Sequence, residues 1–500
     1  MGTPAYPALY QLNTRVYLTA RSRDLGRPAT LDDLPDAELD RIAGLGFDWL
    51  WLLSVWRTGD AAREVSLANA AWRQEFEATL PGLTDADIGG SGFAIAGYTV
   101  APSLGGDAAL ARLRERMAVR GLRLMLDFVP NHMALDHPWT VDRPERFVGG
   151  TEAQLLREPG NWTTVVTSSG RRRVIAHGRD PYFPGWPDTV QLDYSSEDTV
   201  EAMTQEVASI AARCDGVRCD MAMLLLPDVF ERTWGRAALR FWPAASARAR
   251  AVQPGFVLMA EVYWDLEAAM LAQGFDYAYD KRLYDRLVAG PAGPVRDHLR
   301  ADVAYQAHLA RFLENHDEPR AAAALPGERG QAAALVAFLT PGLRFFHQGQ
   351  LEGFRVRISP HLVRGPDEPA DGELAHFYGG LLATLRDPLV RDGTWRLLDA
   401  LPAWEGNATA DGFVAFAWRL GERRLVVAVN LGATQGQCYL RDPLDELRGG
   451  SVRLVDRLDG GVFERDADKL ATRGLYIDLP PQGHHVLEAS TTSTRDLPSG

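Results

Sequence analysis

Cysteine is scarce in this chain: Cys214, Cys219 and Cys438 are the whole supply, an odd number with no C-x-x-C pair. That argues against a disulfide framework or a thiolate zinc site and predicts reduced, partly buried thiols. Long apolar runs are missing too. Nothing approaches the roughly eighteen residues a membrane span needs, so no membrane association is expected. The opening MGTPAYPALYQLNTRVYL has no basic stretch, apolar core or small-residue cleavage site, so a cytoplasmic location is expected. Basic charge is the third deficit. Lys and Arg number 53 against 66 Asp and Glu, a net charge of -13, and the only basic run is the short RRR at residues 171–173. Nucleic acid and anionic lipid are therefore not expected partners, and a neutral or small substrate fits better.

The remaining composition, 46% hydrophobic and 24% charged, is that of an ordinary globular enzyme. Short apolar runs at 15–19, 47–55, 122–129, 215–222, 256–263, 275–279, 309–315 and 343–347 predict strands, and helical patterns such as 107–121 and 199–214 fall between them. Alternation of this kind predicts an α/β fold, a (β/α)8 TIM barrel made of residues 1–132 and 196–388. Two stretches interrupt it. Residues 57–105 read as a long loop after the second strand, and residues 133–195 as an excursion subdomain after the third. Short alternating strands from about Thr394 predict a C-terminal antiparallel β domain over 389–489, followed by a flexible tail at 490–500.

Four segments carry the chemistry: DFVPNH ending at His132, GVRCD ending at Asp220, MAEV around Glu261, and ENHD ending at Asp317. Each places an acid or histidine just past an apolar run, where a barrel puts its active site. Breaking a glycosidic bond with retention needs a carboxylate on one face of the sugar and a carboxylic acid on the other. Asp220 is the expected nucleophile, and Arg218, two residues earlier on the same side of its strand, would keep it ionised. Glu261 follows the apolar FVLMA, which favours a raised pKa and a general acid. Asp317 would be the third acid, with His132 and His316 binding hydroxyls.

Aromatics at Phe93, Tyr98, Trp139, Trp162, Tyr182, Phe183, Trp186, Tyr263 and Trp264 lie in or near rim segments and could carry sugar rings. The bland readings are an N-cap or surface acid, a structural histidine and a packed aromatic. Any one residue fits these; four segments together do not.

At these segments the chain resembles the α-amylase family, glycoside hydrolase family 13, whose first to fourth signature regions look like DFVPNH, GVRCD, AEV and ENHD in that order. GFAIAGY at 92–98 looks like a variant of the family's glycine-tyrosine loop, 133–195 like its domain B, and 394–489 like its C-terminal β domain. The resemblance implies Asp220 as nucleophile, Glu261 as acid/base and Asp317 as transition-state stabiliser. Arg218, His132, His316, Phe93 and Tyr98 would bind around them, and the linkage would be α-glucosidic.

The chain departs from the family at Phe93, where a sugar-stacking tyrosine is usual. It departs again in the MAMLLL after Asp220, where Met223 and Leu224 replace a lysine-histidine pair and imply an apolar acceptor side. Asn131 matches a position that in many members ligates calcium, but few acidic ligands accompany it, so no cofactor is expected. The substrate would be a small-molecule or oligosaccharide α-glucoside. Hydrolysis is the first expectation; transfer to another sugar on the same scaffold, or sugar binding without catalysis, are the alternatives.

Overall fold

In the computed structural model, residues 4–441, 443–444 and 450–492 are described. Eight parallel strands close into a barrel: β1 Ala8–Asn13, β2 Trp49–Leu53, β3 Arg123–Phe128, β4 Gly216–Cys219, β5 Val257–Ala260, β6 Tyr277–Tyr279, β7 Leu309–Arg311 and β8 Leu343–His347. They pair in sequence order, and β8 closes on β1. Strands buried on both faces read as continuous apolar runs, which is how WLWLL and VLMA are built.

The first strand was expected at 15–19, and that is wrong. RVYLT lies inside the helix Thr14–Leu25, whose Asn13 side chain caps Val16 N and whose Gly26 ends it at φ 64. The strand is ALYQLN, buried at every position. The stretch 57–105 is likewise no loop. It holds α1 Asp60–Ala68, α2 Ala70–Thr79 and a strand pair, Trp56–Thr58 with Ile95–Val100.

The excursion after β3 is a small unit of short strands. His132–Ala134 pairs with Thr189–Gln191, and Trp162–Val166 with Arg172–Ala176. After the barrel, a six-stranded antiparallel sheet and a three-stranded one share a separate apolar core. Trp418 Nε1 donates to Leu339 O at 2.8 Å and ties this domain to the barrel. Its last strand, His484–Thr492, runs through the start of the expected tail; 493–500 lie outside the described residues. All three cysteines are free and buried. Among the described residues no helix is long and apolar enough to cross a membrane.

Candidate active site

The barrel ladder continues one residue past two neighbouring strands and thereby positions two acids. Asp220 N donates to Phe128 O at 2.8 Å and Glu261 N to Cys219 O at 3.0 Å, so both carboxylates leave the C-terminal rim side by side. Arg218, wholly buried on β4, reaches both: Nη1 lies 2.7 Å from Asp220 Oδ1 and Nη2 2.7 Å from Glu261 Oε2. The same Nη2 is 3.8 Å from Asp317 Oδ2. One guanidinium thus faces three acids, and Tyr279 Oη accepts from its Nε at 3.3 Å.

Three acids and one cation cannot all be comfortably ionised without water. Burial pushes the Glu261 pKa up to about 8; Arg218 opposes this, and the charges of Asp220 and Asp317 reinforce it. Desolvation outweighs the short contact to Arg218 because that cation is shared. Glu261 is held on both oxygens, by Met221 N at 2.6 Å and Tyr263 Oη at 2.8 Å. Met221 adopts a left-handed φ of 41°, an uncommon conformation for a side-chain-bearing residue, and in it directs its N–H at Glu261.

Asp317 is exposed and sits in a turn in which Asn315 Oδ1 accepts from Asp317 N and Glu318 N. His316 is buried, its Nδ1 accepting from Gln11 Nε2 at 3.0 Å, which leaves the proton on Nε2, 3.0 Å from Asp317 Oδ2. Burial lowers the His316 pKa to about 4, so the ring beside Asp317 is a neutral imidazole. Phe93 stacks on that ring with centroids 5.3 Å apart and also lies under Arg218. His132, its pKa lowered by burial, packs edge-on against Trp186.

These groups line one pocket of about 310 Å³, at the small end for a ligand site. Asp220, Glu261, Asp317, His132, Phe93, Trp186 and Tyr263 are all brought to it. Arg218 and His316 stand directly behind. The arrangement offers a buried proton donor beside an arginine-paired carboxylate, with apolar ring faces around them.

Tyr98 does not belong. It is buried, donating its hydroxyl to Val129 O and accepting from Val129 N, so it braces the β3 terminus. Trp139 lies under Arg146, and Trp162 packs elsewhere in the excursion. Tyr182 and Trp264 meet edge to face at 4.9 Å beside the mouth. Nor do Met223 and Leu224 make an apolar acceptor face. The turn Ala222–Leu225 is buried throughout, and only Met221 of the MAMLLL stretch lines the pocket.

Asn131 is already engaged within the chain. Gln191 Nε2 donates to Asn131 Oδ1 at 3.0 Å and Asn131 O at 2.9 Å, so an amide N–H fills the place where a cation would meet those oxygens. Among the described residues no group of three or more acidic, histidine or cysteine side chains could hold a metal.

Sequence reasoning missed Trp72, Asp188 and His361, which also line the pocket. Asp188 is buried with no protein partner for Oδ2, and burial raises its pKa to about 6. An acid beside an aromatic in a Gly- and Pro-rich loop, the WPD of residues 186–188, was the available signal. Trp72 and His361 gave none, since only the fold joins their segments.

Residues 36–274 match the family model for the α-amylase catalytic domain. The α-amylase MalA of Haloarcula japonica is 24% identical over 436 residues, which is 85% of this chain and 55% of that protein. The chain thus spans about half the length of the first curated relatives it matches. The solved structure of a maltogenic α-amylase AmyB from Thermotoga neapolitana superposes with TM-score 0.69 at 18% identity, covering 97% of this chain and 98% of that one. That of the Geobacillus thermoleovorans α-amylase, complexed with acarbose, gives 0.66 at 19% identity, covering 99% and 100%. At these identities the superpositions show the fold.

Proposed function

We propose that this chain, whose residues 36–274 match the α-amylase catalytic-domain model, is a retaining glycoside hydrolase acting on α-glucosidic linkages. The observation that carries the proposal is the single buried Arg218 held against Asp220, Glu261 and Asp317. Asp220 attacks the anomeric carbon while the Glu261 proton passes to the departing oxygen, leaving a glycosyl ester on Asp220. Glu261, now ionised, takes a proton from water, which attacks the same carbon and frees Asp220 with net retention. Asp317 and the neutral His316 hold sugar hydroxyls while positive charge develops, and Phe93 supplies a ring face.

The reading is tested on maltooligosaccharides with products resolved by size at early times. Shortened chains are expected, and lengthened chains appearing first would favour transfer. The exposed Tyr182 and Trp264 pair beside Tyr263 is what keeps transfer in view, because an acceptor sugar could lie on it.

The pH profile follows from Glu261. A carboxyl raised to about 8 is protonated below that pH and ionised above it, so kcat/KM should fall about tenfold per pH unit on the alkaline side. With Glu261→Gln and an activated substrate such as α-glucosyl fluoride, whose leaving group needs little protonation, that alkaline fall should disappear. An unchanged profile in the variant would assign the limb to another group.

We also infer that the barrel needs no calcium, because Gln191 already satisfies the Asn131 oxygens. EDTA should leave Tm unchanged. An ion at 100 times its Kd adds about 2.7 kcal/mol, a shift of degrees in a thermal melt, so a drop reversed by calcium would contradict this.

A further inference from the structure

Trp72 and His361 stand against each other, ring centroids 4.6 Å apart, on one side of the pocket. They come from the segments after β2 and β8, which flank β1 in the closed barrel. Glu261 comes from β5, on the opposite side of the ring, with Met221 and Tyr263 around it. A general acid stands beside the oxygen it protonates, so the leaving group lies toward Met221 and Tyr263. That side continues outward into Tyr182 and Trp264, which are 58% and 38% exposed. The glycone must point the other way, into Trp72 and His361.

The structure on that side is a fixed wall. Gly89 N donates to His361 O at 2.8 Å and Val363 N to Asp87 O at 2.9 Å, stitching the two segments together. Arg364 pairs with Asp87 at 2.6 Å, and Phe76, Ile88 and Leu362 form a small core of their own. His361 is further fixed by Ser66. The Ser66 hydroxyl donates to Ala62 O, so its oxygen accepts from His361 Nδ1 at 2.9 Å and leaves Nε2 as a bare acceptor. Burial lowers the His361 pKa to about 4, which keeps that nitrogen unprotonated at neutral pH. A flat apolar plate beside one neutral acceptor suits a terminal sugar ring and one of its free hydroxyls.

Resting on the glycosidase reading, we propose that this pocket takes the non-reducing end of short α-glucosides, with Trp72 and His361 as its end wall, so that cleavage is exo-acting. The test compares maltoheptaose with the same chain capped by a 4,6-O-ethylidene group on its non-reducing ring, products being separated at early times. The free chain should shorten from its non-reducing end, and the capped chain should react slower by on the order of 100-fold, since the wall leaves no room for the cap. Cutting of the capped chain at a comparable rate, with mid-length products, overturns the end wall and leaves the glycosidase standing. Turnover of neither chain, nor of p-nitrophenyl α-glucoside, overturns both.

A second measurement uses Trp72→Ala and His361→Ala. KM for p-nitrophenyl α-glucoside should rise by about tenfold with kcat little changed, as for groups that hold the substrate alike before and during reaction. Unchanged KM in both variants contradicts the proposal.

Discussion

Asp220→Asn should fold normally and lose turnover by on the order of 10^4-fold or more, the scale expected when a nucleophile is removed and only binding and charge stabilisation remain. The amide keeps the shape of the carboxylate, and Arg218 retains Glu261 and Asp317 as partners, so the melting temperature should change little. A second consequence has a definite sign. Asp220 is one of the charges that raise the Glu261 pKa, so its neutralisation should lower that pKa and move any residual alkaline limb to lower pH. Activity within tenfold of wild type would remove Asp220 from the chemistry.

Arg218→Met is expected to cost both stability and activity. It strands three acids around an apolar side chain, and breaking a buried ion pair from one side typically costs about 3–5 kcal/mol. Without the cation Glu261 is held still more firmly in its protonated form, and Asp220 loses the guanidinium that orients it, so the rate should fall on the order of 10^3-fold. Arg218→Lys should recover stability better than rate. An ammonium restores charge but cannot contact Asp220 and Glu261 through separate nitrogens. Thermal melts and kcat/KM against pH measure the two losses separately, and a Lys variant as active as wild type would show that charge alone suffices.

The chemistry was legible because barrel strands advertise their ends. VLMA is apolar and GVRC is so but for Arg218, and the acid that follows each has nowhere to go but the rim. The same logic misled at β1, where ALYQLN carries polar residues yet is buried on both faces, and the β-branched RVYLT next to it looked more strand-like. MAMLLL reads as an apolar acceptor side because Met223 and Leu224 stand where the resembled family has a lysine-histidine pair. Its apolar side chains turn inward, and the one pocket residue, Met221, contributes a backbone N–H as well. Tyr98 reads as a ligand because it is an aromatic in a rim segment, yet it is buried and its hydroxyl is bound to the backbone of Val129. The end wall was invisible for a different reason. Ser66 and His361 are 295 positions apart, and neither segment has a periodicity that points to the other.

The central claim is that Asp220 becomes covalently glycosylated, and 5-fluoro-α-D-glucosyl fluoride tests it directly, since its C5 fluorine slows both steps while its anomeric fluoride, a good leaving group, keeps formation fast enough for the intermediate to accumulate. After brief incubation and peptic digestion, mass spectrometry should find one fluoroglucosyl unit on the peptide containing Asp220. The same experiment on Asp220→Asn should find none. Steady turnover of the reagent with no labelled peptide, or with the label on Glu261 or Asp317, would contradict the account.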